Sequence, residues 1–178
     1  RAKCRYCHKK ISIKYPVVEL ATGLGFAYLY SHSASIFLFI LFSVLVVIFM
    51  SDLQYLIIPN SVVFIGVLSV LVYKFVYSPQ SLIENIIAGV GAFLFLYFLY
   101  LITRGRGMGF GDVKFSLIMG ILLGFPEIVI AFYIAFLTGA FVSFILLLLG
   151  RVHFGQQIPF GPFLVLATIV TYLWRENL

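Results

Sequence analysis

The chain contains two aspartates, Asp52 and Asp112, sixty residues apart. Asp52 stands in SDLQYLIIPN, at the end of a long apolar run, and Asp112 stands in GMGFGDVKF, at the start of another. If packing brings the two carboxyls face to face, like-charge repulsion makes them share one proton near neutral pH. One can then activate a water while the other donates to a carbonyl or a departing amine. Glycines at 105, 107, 109 and 111 lead into Asp112. Residues without a Cβ let a second backbone come close, so an extended peptide could lie along this loop and pair with it. The plainer alternative is purely structural: Asp112 caps a helix, Asp52 is a solvated loop residue before Pro59, and the glycines form a hairpin. The spacing does not satisfy GxGxxG and no strand pattern precedes it, which argues against a dinucleotide or phosphate loop.

The elements that must position these acids are helices in lipid. Of the 178 residues, 63% are hydrophobic and 10% are charged, and the mean hydropathy is +1.14. Soluble domains carry about 25% charged residues, so a core of this size could not hide the apolar surface in water. In lipid the backbone must satisfy itself within each segment, which favours helices. The pattern predicts an all-α, polytopic membrane protein with seven helices, over residues 16–31, 34–51, 60–77, 82–103, 112–125, 127–149 and 159–174. The fifth run is short against the roughly 20 residues a span requires. The net charge of +6 does not argue for nucleic acid, because the basic residues cluster in inter-helix loops. Arg1, Lys3, Arg5, Lys9, Lys10, Lys14, Arg104, Arg106, Lys114 and Arg151 fall on one side of a seven-span arrangement, and Lys74 and Arg175 on the other. The basic side is cytosolic by the positive-inside rule. Loops 1–15, 52–59, 104–111 and 150–158 then face the cytosol, and both aspartates sit at the inner rim of the bilayer, where an ionisable group is costly and a functional suspect.

Four segments carry a resemblance to a known family. Gly109-Phe110-Gly111-Asp112 is a GxGD motif followed by Val113-Lys114; Lys14-Tyr15-Pro16-Val17-Val18-Glu19, Asp52 with Pro59 in DLQYLIIPN, and Ile158-Pro159-Phe160-Gly161-Pro162-Phe163 complete the set. In this order, on a polytopic chain, they resemble the type IV prepilin peptidases, which are membrane aspartic endopeptidases. The resemblance implies removal of a short basic leader from type IV prepilins or pseudopilins at the cytosolic face of the bacterial inner membrane. Asp52 and Asp112 would be its catalytic pair, working without a metal or a covalent intermediate. Many members also methylate the new N-terminus with S-adenosylmethionine, and Glu19 matches a glutamate associated with that activity or with the surrounding cytosolic site. Gly109 and Gly111 fall to the substrate loop. Lys114 would pair with Asp112 or with lipid phosphate, or play a structural part.

Cys4-Arg5-Tyr6-Cys7 is a CxxC, half of a four-ligand zinc site at most; it matches the second of two pairs that many family members carry. The absent first pair and the Arg at position 1 imply that an N-terminal portion, with a further helix, lies outside the sequence. Residues 1–15 are thus expected to form a basic cytosolic segment and 16–178 the transmembrane peptidase domain. His8 extends the CxxC to CxxCH, a haem-attachment string, but the basic flank places it on the wrong side of the membrane. His32 and His153 read as solvated loop residues. The rival readings are a preflagellin-type GxGD peptidase, against which the CxxC and IPFGPF segments argue, a small proton-coupled transporter and a haem-bearing subunit. The carboxylates lie away from mid-membrane and the chain has no internal repeat, both contrary to transport.

Overall fold

The computed structural model describes residues 12–105, 107–150 and 158–176. It contains seven α-helices: α1 (Lys14–Ser31), α2 (Ile36–Tyr55), α3 (Asn60–Tyr77), α4 (Leu82–Ile102), α5 (Phe110–Leu123), α6 (Glu127–Leu148) and α7 (Gly161–Glu176). One 3-10 turn, Pro79–Ser81, joins α3 to α4, and no strand occurs among the described residues. The all-α expectation therefore holds, with two boundary differences that matter. Helix α2 runs past residue 51 to Tyr55, so Asp52 lies inside its last turn. It stops there because Leu56 turns left-handed at φ 56° and returns its N–H to the Asp52 carbonyl, which closes the helix. Helix α5 begins at Phe110, so Asp112 lies in its first turn rather than at its start.

Four segments are long and apolar enough to cross a bilayer: Ile36–Tyr55, Asn60–Tyr77, Pro79–Ile102 and Glu127–Leu148. The other three helices fall short of that test. At 1.5 Å per residue α5 reaches about 21 Å, well under the hydrocarbon thickness of about 30 Å. It does not have to span alone, because it is the central helix. Ten of its fourteen residues are buried, and it packs on α3, α4, α6 and α7. Phe115, Ile118, Met119, Leu122 and Leu123 of α5 are fully enclosed, in one core with Ile48 of α2, Val70 of α3, Leu96 of α4 and Leu164 of α7. A helix that is apolar on every face belongs in such a position. The surrounding helices point Phe64, Phe75, Ile83, Phe98 and Phe141 outward, each more than half exposed. Patches of that kind mark a surface made for an apolar environment, and the chain is an integral membrane protein.

Lipid is as apolar as the core, so helix association here depends on close packing rather than on a hydrophobic drive. The tightest contact is α4 against α5. A Cβ built on Gly120 would stand 2.5 Å from the Gly89 Cα and 2.7 Å from the Ala88 carbonyl oxygen. The two backbones touch, and no side chain fits between them. Gly120→Ala is expected to destabilise the protein by about 1–3 kcal/mol, the cost of overpacking. Gly91→Ala, on the open side of α4 with nothing within 4 Å of its Cβ, is expected to be neutral or stabilising by up to about 1 kcal/mol. Thermal unfolding midpoints in one detergent would check both.

Candidate active site

The Asp52 turn is built by its own sequence. The Ser51 hydroxyl donates to the Ile57 carbonyl at 2.7 Å, and Pro59 in extended conformation opens α3. The turn delivers Ile58, which is 3% exposed, onto the first turn of α5. There a Cβ on Gly111 would lie 2.9 Å from the Ile58 Cβ. Gly111 thus sits inside a helix, where its missing side chain admits Ile58 and so seats the Asp52 turn against the Asp112 helix. It is not part of an open strand-like loop, as the alternating glycines suggested. Gly109 is extended at φ −73° and is the N-cap of α5.

Each aspartate is held by a glycine amide. The Gly109 N–H donates to Asp112 Oδ2 at 3.2 Å, and the Asp112 N–H donates back to the Gly109 carbonyl at 3.2 Å. Asp112 is therefore the third helical residue, and its side chain closes a capping box on the Gly109 amide, so it caps the helix from N3 rather than from the N-cap position. The Gly161 N–H donates to Asp52 Oδ2 at 2.8 Å. In both cases a helix N-terminus presents an unused backbone donor to a carboxylate, which its dipole also favours. Asp52 is 5% and Asp112 3% exposed, and the Asp52 charge acts on Asp112. Two acids sixty residues apart thus come near enough for the charge of one to act on the other. Asp112 Oδ1 is buried without a hydrogen-bond partner, so its lone pairs are free for a reacting group.

No solved structure matches the chain, and the family comparison is decisive instead. Residues 39–144 match the type IV leader peptidase family. The chain belongs to that family. Residues 1–33 match the bacterial peptidase A24 N-terminal domain. Over its full length the chain is 29% identical to a prepilin leader peptidase/N-methyltransferase of Bacillus subtilis, covering 73% of that protein. It is 31% identical to the enzyme of the same name from Aeromonas hydrophila and 29% to that from Stutzerimonas stutzeri, covering 64% of each.

The other residues singled out in the sequence of this leader peptidase family member are placed as follows. Lys114 does not turn to Asp112. Its Nζ donates to Asn60 Oδ1 and lies 5.4 Å over the Phe110 ring, because residues two apart on a helix point to different sides. Glu19 is exposed on α1 and is not among the charges acting on either aspartate. Cys4, Cys7, His8 and His153 lie outside the described residues. Among the described residues no three His, Cys, Asp or Glu side chains assemble as metal ligands. Gly161 and Asn60 have no role that the sequence alone assigns. The signal for Gly161 is a glycine between Phe160 and Pro162 in the IPFGPF segment, whose partner only folding supplies. With Cys4 and Cys7 replaced by serine, an Asp52→Cys/Asp112→Cys pair is expected to be bridged by a short bifunctional thiol reagent, and each single cysteine to give no bridge. Mass spectrometry of an unbridged double variant would refute the juxtaposition.

Proposed function

We propose that this chain carries the catalytic centre of a membrane aspartic endopeptidase that removes the leader peptide from type IV prepilins or pseudopilins. The observation that supports the reading is that Asp52 and Asp112 are each buried and each held by a glycine N–H, with the charge of Asp52 acting on Asp112. Family membership supports the substrate class. The positive-inside pattern of the sequence supports a cytosolic active site in the bacterial inner membrane.

A water held between the two side chains attacks the carbonyl carbon of the scissile bond. One aspartate takes the proton of that water. The other stabilises the developing oxyanion and protonates the departing amine, so the C–N bond breaks and the two carboxyls end with one proton between them again. The dyad titrates as a unit. The hydrogen bonds to Oδ2 of each aspartate leave the opposite oxygen, Oδ1, to face the reaction.

The names of the relatives extend the proposal to N-methylation, for which S-adenosylmethionine would supply the methyl group. Glu19 is exposed on α1, and two large apolar cavities are lined by neither Glu19 nor the aspartates. One, of about 610 Å³, is bordered by Tyr28, Phe42, Thr168 and Tyr172. The other, of about 800 Å³, lies between α4 and α6 beside Phe95 and Phe132.

Asp52→Asn and Asp112→Asn are each expected to fold normally and to cut a prepilin about a thousand-fold more slowly or worse, as when one member of a catalytic unit is lost. Mass spectrometry of the prepilin after incubation reports the cut site, and with S-adenosylmethionine present it reports an added methyl group. Normal processing by either variant would remove that residue from the mechanism.

A further inference from the structure

The segment before α7 is built to leave one backbone donor free. Phe160 ends the loop, and its carbonyl accepts the N–H groups of Phe163 at 3.0 Å and Leu164 at 3.2 Å. Phe163 has thereby spent its donor, and Pro162 has none. Of the first three residues of α7, Gly161 alone retains an N–H to offer, and that N–H meets Asp52 Oδ2. The aim of this donor is set by Phe160, whose ring lies 5.1 Å from that of Phe136 on α6 and against Gly139, where a Cβ would be 3.1 Å from it.

Position 161 also has no room. A Cβ there would fall 2.7 Å from Asp52 Oδ2, 2.9 Å from its Cγ and 3.0 Å from its Cβ. The obstacle is the carboxyl itself, so any side chain at 161 moves the acid before it disturbs anything else. A purely structural helix start would place no such demand.

We infer that Gly161 is a positioning residue for the reaction: its amide fixes Asp52 Oδ2, and its bare α-carbon leaves the space in which that carboxyl faces Asp112. The inference rests on the proteolytic reading above. It assigns to the IPFGPF segment the task of orienting the first aspartate, as Gly109 orients the second.

Two measurements on the full protein in detergent micelles test it. The first needs no substrate. With ¹⁵N-glycine labelling, the amide signal lost in Gly161→Ala identifies Gly161, and Asp52→Asn is expected to shift that signal. An unmoved signal overturns the contact. The second compares Gly161→Ala with Gly91→Ala on a prepilin substrate. Gly161→Ala is expected to lower kcat about a hundred-fold, the scale of a small misplacement of a reacting group. Its KM should stay within about two-fold, since differential loss falls on the transition state, and its unfolding midpoint should fall no further than that of Gly120→Ala, an overpacked variant whose new Cβ meets α4 and not an aspartate. Gly91→Ala should match the wild type. A wild-type kcat in Gly161→Ala, or an equal fall in kcat in Gly120→Ala, overturns the positioning role and leaves the proteolytic reading standing. A wild-type protein that cuts no prepilin defeats the proteolytic reading and the positioning role together, while the amide signal still decides the contact.

Discussion

Two carboxyl groups taken out of water, close enough for the charge of one to act on the other, are the constraint on which this structure turns. Burying one acid is costly, and burying two of like charge is worse. The bundle offsets this at helix N-termini. Asp112 receives the Gly109 amide within its own helix, while Asp52 receives the Gly161 amide from a helix 109 residues further along. Each donor would otherwise be an orphan at a helix start. One arrangement thus satisfies the helix ends and the acids at the same time, with a backbone hydrogen bond to a carboxyl in each place.

The placement of α5 follows from the same demand. A fourteen-residue helix is too short to cross lipid by itself, but enclosed by its neighbours it can start at depth with an acid in its first turn. Close approach on two sides keeps it there. Gly120 admits the backbone of α4, and Gly111 admits Ile58 from the Asp52 turn. In a bilayer, where burial of apolar surface gives helices little reason to associate, such contacts carry the cohesion. The glycines that surround Asp112 are therefore packing devices first.

Much was legible in order along the chain. Composition and the length of the apolar runs gave lipid as the solvent, and the seven helices lie close to where hydropathy put them, because a segment in lipid must satisfy its backbone internally. The two aspartates stood out because acids are scarce in such a chain, and GxGD, the DLQYLIIPN turn and IPFGPF carried the family resemblance. The helix ends were less legible. Asp52 fell inside α2 because a left-handed Leu56 ends the helix, and nothing in the side chain of leucine announces that conformation.

The sequence by itself determined the solvent, the helical class, the order of the spans and the two acids, since each of these depends on local composition or spacing. Only tertiary structure decided what touches what. It turned Lys114 away to Asn60, left Glu19 exposed on α1, and brought the Gly161 amide to Asp52. Those outcomes depend on how helices far apart in the chain cross, and a crossing is set by the shapes of both partners together, which no single stretch of residues encodes.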